Sequence, residues 1–196
     1  YRTHFDVRAA VCGEDITELI AGLQALSDGI EHAEVRVGRA QSQGDLALLF
    51  TGQGSQILGM GRMLMETSPA FREIIERLMT ALDVHLEQPL AEVMFAEPGT
   101  EHADLIDQTH YTQPALFALE VALAQLWASW GVRPDVLMGH SIGELTAAHV
   151  AGVLGLEDAA KLVCARGRLM QGCQSDGAML SIQAPESEVV PLLIGF

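Results

Sequence analysis

Ser141 lies in Gly139-His140-Ser141-Ile142-Gly143, a Gly-x-Ser-x-Gly pentapeptide. The apolar run Val136-Leu137-Met138 precedes it, and an apolar helical pattern from Ile142 towards Val153 follows. A predicted strand, sharp turn and predicted helix in that order can present a serine hydroxyl as a nucleophile at the positive end of a helix. Glycine on both sides removes side chains that a tight turn would force into neighbouring backbone. The pentapeptide alone also describes a serine that merely caps a helix, so the surrounding pattern carries the distinction.

Acyl chemistry at such a serine needs an oxyanion site built from two N–H donors. The unpaired N–H groups at the start of the helix can supply one. A second Gly-rich loop, Gly52-Gln53-Gly54-Ser55-Gln56, follows the apolar run Leu46 to Phe50 and would reach the same sheet edge. It lacks the Gly-Lys-Ser/Thr of a phosphate-binding loop and fits a dinucleotide fingerprint poorly. A plain Gly-rich turn remains the alternative.

Composition narrows the partners. The 196 residues carry a formal charge of −15, and Lys161 is the only lysine, so specific anion contacts fall mainly to arginine. That charge disfavours nucleic acid and anionic membrane surfaces as partners. Nearly half the residues are apolar and only 19% are charged, as in a packed globular protein. No apolar run approaches the roughly 20 residues of a membrane span, and the first residues lack the pattern of a secretory signal, so a cytoplasmic location is expected. Cys12, Cys164 and Cys173 are too few and too scattered for a metal site or a disulfide framework and are expected as buried reduced thiols. No bound metal is expected.

The elements that must position these residues alternate strand and helix. Residues 5–11 read as a short strand, Ile16, Leu19, Ile20, Leu23 and Leu26 fall at helical spacing, and Val35 and Val37 suggest a second strand. Residues 38–45 read as a polar linker, which makes residues 1–45 a small α/β appendage. From Leu46 the pattern is strand, Gly-rich loop and helix. Helical spacing resumes at Phe71, Ile74, Ile75, Leu78 and Leu82, and Pro114 is expected to open an apolar helix running through Trp127. Helix is also expected over residues 157–171, and a further strand over 178–182. The expected fold class is α/β with a largely parallel sheet.

Four stretches together resemble the malonyl-CoA:acyl-carrier-protein transacylase family, and most closely the acyltransferase domain of modular polyketide synthases. They are Leu49-Phe50-Thr51-Gly52-Gln53-Gly54-Ser55-Gln56, the run Tyr111 to Leu119, Gly139-His140-Ser141-Ile142-Gly143-Glu144, and Arg166-Gly167-Arg168-Leu169-Met170-Gln171. The resemblance implies an α/β-hydrolase-like core over residues 46–177, the beginning of a ferredoxin-like small subdomain over 178–196, and a ketosynthase-to-acyltransferase linker over 1–45. It implies that Ser141 is acylated, that the N–H groups of Gln53 and Ile142 form the oxyanion hole, and that Arg166 clamps the free carboxylate of a malonyl group. Gln113 and His140 would line the substrate pocket. The domain would bind no cofactor of its own. It would take malonyl from coenzyme A and pass it to the phosphopantetheine thiol of an acyl carrier protein, beside a ketosynthase domain. Ile142 after the serine and the Tyr111 to Leu119 run resemble the malonyl-selecting type, since methylmalonyl-selecting relatives tend to carry Gln there. Bulk near the substrate's α-carbon is the mechanism considered.

The family's general base is a histidine roughly a hundred residues beyond the serine. None of His4, His32, His85, His102, His110, His140 and His149 matches it. These residues therefore resemble about the first half of the acyltransferase with its linker, and weak or absent acylation is expected of them alone. A noncatalytic linker or docking module is one alternative reading. An α/β-hydrolase or thioesterase is another, but it would leave Arg166 and the Gln113-Pro114-Ala115-Leu116 stretch without a role.

Overall fold

The computed structural model describes residues 5–40, 44–173 and 182–193. The chain divides into two compact units, Tyr1–Asp45 and Leu46–Phe196. No helix among the described residues is long and apolar enough to cross a membrane.

In the first unit, β1 (Val7–Val11) leads into α1 (Ile16–Asp28), and β2 (Val35–Arg39) returns antiparallel to β1 with Val11 opposite Val35. The Asp15 carboxylate accepts the N–H groups of Thr17 and Glu18, satisfying amides that a helix start leaves without partners. Two expectations change here. Gly38 and Arg39 belong to β2, because they pair with Arg8 and Val7, so the polar segment begins only at Ala40. The most buried positions of α1 are Gly22 and Ala25, with Leu19 and Leu26 half-buried, while Ile16 is 75% and Leu23 55% exposed. Gly22 accounts for this, since a β-carbon there would lie 2.5 Å from Val11 Cγ1, and only a bare backbone lets the helix approach the hairpin.

The second unit opens with β3 (Ala47–Phe50). It continues through α2 (Arg62–Thr67), α3 (Pro69–Asp83), α4 (Leu90–Met94) and α5 (Glu101–Asp104) to the long α6 (Thr109–Ser129). Then follow β4 (Val136–Gly139), α7 (Ile142–Val150), α8 (Leu156–Gln171) and α9 (Glu186–Val189). The sheet is smaller than expected: among the described residues it consists of β3 and β4 alone, paired in parallel. Most of the strand expected over 178–182, and the division expected between residues 177 and 178, lie outside the described residues.

α6 is the axis of this unit. It is apolar around its circumference, as a helix covered on several sides must be, and α3, α7 and α8 all pack on it. The core joins Phe71, Ile75 and Leu78 of α3 with Phe117 and Val121 of α6 and Val163 of α8. Contrary to expectation, Pro114 lies inside α6, which begins five residues earlier at Thr109. The first turn survives because it is fastened from outside the helix ladder. The Thr112 hydroxyl contacts the carbonyls of Ile106 and Gln108, and Gln108 O accepts the N–H groups of Tyr111 and Thr112. These bonds offset the one that proline cannot make.

Gly167 sets how closely α8 meets that first turn. A β-carbon at this position would lie 3.0 Å from His110 Cα and 3.1 Å from Thr109 O, both backbone atoms that cannot rotate away. Gly167→Val should therefore destabilise the protein by about 1–3 kcal/mol despite the better helix propensity of valine. A urea unfolding curve with an unchanged midpoint would contradict this packing.

Candidate active site

β3 and β4 run parallel in register, with Phe50 opposite Gly139, so both carboxyl ends open on one edge. One further bond, from His140 N to Phe50 O at 3.1 Å, ties the start of the turn to the end of β3. The chain then reverses into α7 through Ser141, whose φ of 58° and ψ of −113° make it the one non-glycine residue with positive φ among the described residues. Such a conformation costs of order 1–3 kcal/mol and persists only where its surroundings enforce it. The enforcement is visible. A β-carbon at Gly139 would fall 2.0 Å from the carbonyl carbon of Gly143, and one at Gly143 would fall 2.5 Å from Phe50 O and Thr51 O. In addition, Gly139 N donates to the Glu144 carboxylate at 3.2 Å.

The Ser141 side chain makes no capping hydrogen bond to α7, so the helix-cap alternative fails. Its Oγ instead accepts from Nη2 of Arg166 on α8 at 2.9 Å. Arg166 Nη1 donates to Gln113 Oε1 at 2.7 Å. Gln113 is 1% exposed, and its amide orientation is fixed from the other end by Nε2 donating to Met170 Sδ at 3.2 Å. Ser141, Arg166 and Gln113 are thus joined side chain to side chain, although they come from three separate elements. Met170 was not singled out in the sequence. Its signal is spacing, since it follows Arg166 by four residues and so shares a face of α8.

The loop carrying Gln53 meets the same turn. Gly52 faces His140 so closely that a β-carbon there would lie 2.5 Å from the ring Nδ1. His140 therefore buttresses the loop, while its own side chain remains exposed. The Gln53 side chain reaches across to Thr109 (Nε2 to Oγ1, 3.0 Å) and the Gln56 side chain to Asp107 (Nε2 to Oδ1, 2.9 Å). These bonds fasten the loop to the start of α6. Ile142 heads α7, where a helix leaves its first N–H groups without intrahelical acceptors. Its side chain is 0% exposed and packs in the core, so bulk at the substrate's α-carbon does not come from Ile142 directly. His149 is a packing residue, with Nδ1 2.9 Å from Leu154 O and its ring beside Phe117.

The expectation of three buried thiols holds for Cys164 alone; Cys12 and Cys173 are exposed. Burial pushes the Cys164 thiol up to about 12, with Arg168 opposing the shift and Asp83 adding to it, so it is not a nucleophile at neutral pH.

A second carboxylate that sequence reasoning passed over lies under the site. Glu120 is the one acidic residue of α6, half-buried, and takes three hydrogen bonds. Thr51 N and Thr51 Oγ1 donate to Oε1 at 2.6 and 2.8 Å, and Thr146 Oγ1 donates to Oε2 at 2.8 Å. Burial raises its pKa, and the bonds from the Thr51 side chain, Thr146 and the Thr51 backbone restrain that rise. A carboxyl raised in this way stabilises the fold fully below its unfolded value near 4.5 and loses that contribution as pH climbs through the folded value. Glu120→Gln should remove this slope, so the variant gains stability relative to the parent between pH 4 and pH 7. Paired urea midpoints that keep a constant difference over this range would refute the assignment.

Comparison with known proteins places these features in a family. The sequence profile described as "Acyl transferase domain" matches residues 47–192. Over 194 residues the chain is 53% identical to the polyketide synthase GfsA of Streptomyces halstedii, covering 99% of this chain and 3% of that protein. It is 50% identical to the phenolphthiocerol synthesis polyketide synthase type I Pks15/1 of Mycobacterium marinum, covering 98% and 9%. The acyltransferase domain from the second module of the salinomycin polyketide synthase superposes with a TM-score of 0.85 at 46% identity, over 94% of this chain and 42% of that one. The malonyl CoA-acyl carrier protein transacylase of Clostridium perfringens gives 0.58 at 30% identity, over 68% and 40%. The chain thus spans a small part of the synthases it matches and less than half of the solved domains. With a strained serine at a strand-to-helix turn and a profile match across most of its length, the chain belongs to the acyl transferase domain family.

Proposed function

We propose that this domain loads malonyl units: it takes malonyl from malonyl-CoA as an ester on Ser141 and passes it to the phosphopantetheine thiol of an acyl carrier protein. The observation that carries this reading is the Arg166 guanidinium, oriented by Gln113 and lying 2.9 Å from the Ser141 hydroxyl. A fixed planar cation beside a nucleophile suits an acyl group that ends in its own carboxylate, because a bidentate guanidinium contact is strong and selects one orientation. An acetyl or fatty acyl group would leave that cation without a counter-charge. A thioesterase or simple hydrolase has no need of the clamp.

In the first half-reaction Ser141 Oγ attacks the thioester carbonyl carbon and its proton passes to a general base. By resemblance that base is a histidine roughly a hundred residues beyond the serine. The tetrahedral oxyanion is held by the N–H groups of Gln53 and Ile142. The C–S bond then breaks, and the departing coenzyme A sulfur takes the proton. In the second half-reaction the carrier thiol gives its proton to the base and attacks the ester, and Ser141 Oγ leaves and is reprotonated. Arg166 keeps the malonyl carboxylate in place through both halves. Malonyl rather than a branched extender unit is the substrate assigned, on the resemblance of Ile142 and the Tyr111 to Leu119 run. The adjacent domain is expected to be a ketosynthase, joined through residues 1–45. Tethering within one polypeptide would bring the carrier to this acidic domain without long-range attraction.

The test uses the complete natural polypeptide with labelled malonyl-CoA and acetyl-CoA. Ser141→Ala should abolish the covalent ester with either. Arg166→Ala should lower kcat/KM for malonyl by about 10–100-fold, the loss expected for charge-assisted hydrogen bonds, and should narrow the preference over acetyl. An unchanged malonyl-to-acetyl ratio in Arg166→Ala would eliminate the clamp.

A further inference from the structure

We propose that Glu120 is a positioning residue that holds the two halves of the oxyanion hole in register. This rests on the assignment of Gln53 and Ile142 as its donors. The two donors belong to segments far apart in sequence: the loop after β3 and the start of α7. No described hydrogen bond joins Gln53 to Ile142, yet one carboxylate reaches both segments. Glu120 Oε1 accepts the N–H and the hydroxyl of Thr51, two residues before Gln53, and Oε2 accepts the hydroxyl of Thr146, one turn into α7. Thr146 is itself fully buried.

The Thr51 hydroxyl extends this link. It lies 2.7 Å from Ser55 Oγ, which in turn lies 3.1 Å from Gly52 O. The loop is therefore fastened from beneath by Glu120 and from its outer side by Gln53 to Thr109 and Gln56 to Asp107. The outer fastenings lead only to the start of α6 and the turn before it. Among the described side-chain hydrogen bonds, only those of Glu120 connect the loop to the helix headed by Ile142. A half-buried carboxylate in an otherwise apolar stretch of helix is costly to keep unless its bonds matter, and each of its three bonds ends on an element that carries an oxyanion donor.

Loss of the tether should act on the transition state and leave thioester binding alone, because the oxyanion forms only after attack. In the complete natural polypeptide, Glu120→Leu should lower kcat for Ser141 acylation by about 10–100-fold, as expected for a donor displaced by up to an ångström, with KM nearly unchanged. Glu120→Gln should recover most of that loss. Its amide oxygen can accept both Thr51 bonds, and its NH2 can donate to Thr146 Oγ1. Thr146→Val, which cuts only the arm to α7, should lower kcat by a smaller factor, and it decides the matter if Glu120→Leu fails to fold. The rate of Ser141 phosphonylation by a fluorophosphonate provides a readout that depends on the oxyanion hole but not on malonyl. If malonyl transfer fails in the parent protein while phosphonylation still falls in Glu120→Leu and recovers in Glu120→Gln, the substrate reading is wrong and the tether stands. Folded Glu120→Leu or Thr146→Val with parental kcat and phosphonylation rate would overturn the tether, as would a Glu120→Gln variant as slow as Glu120→Leu.

Discussion

No side chain fits at position 143. The first turn of α7 passes so close to the end of β3 that a β-carbon there would stand 2.5 Å from two backbone carbonyl oxygens, and this approach dictates the rest of the site. It forces β4 to turn into α7 without an intervening loop. Ser141 then has nowhere to go except a positive φ, which lifts its hydroxyl away from the helix it would otherwise cap. The same approach brings the amide end of α7 and the loop after β3 to one sheet edge, the arrangement an oxyanion requires.

The serine turn presents a hydroxyl, and the helices behind it bring a guanidinium to that hydroxyl. Arg166 enters from α8, and Gln113, buried on α6, holds it in place. The distance between those helices is set partly by Gly167, next to Arg166 in sequence and tight against the first turn of α6. A bare backbone position therefore governs how far a guanidinium reaches. Glu120 plays a comparable part under the loop, where a single carboxylate ties segments that no other side-chain hydrogen bond among the described residues joins.

The chemistry of the site was more legible in the sequence than its support. Ser141, Gln113 and Arg166 could be read because glycine spacing and the shared motifs mark them, and the structure brings all three together. Glu120 and Met170 act through partners 69 and 57 residues away, and nothing in their local sequence reveals such contacts. The same limit explains the start of α6. Pro114 is a sound local signal for a helix start, and it was overruled by Thr112 and Gln108, whose bonds form only once the preceding turn has folded. In α1 the helical period was correct but only Leu19 and Leu26 of the named residues are half-buried, because Gly22, which carries no hydrophobic signal, sets where the close packing falls.

The contact between Gly52 and His140 has a consequence for how such a site can change over time. The imidazole occupies the volume that a side chain at position 52 would need, so the two positions share one space. A larger residue at 52 is tolerated only if residue 140 shrinks or swings away, which would release the Gln53 loop from its buttress. Selection on either position is therefore selection on both, and across diverging lineages they should be inherited as a pair.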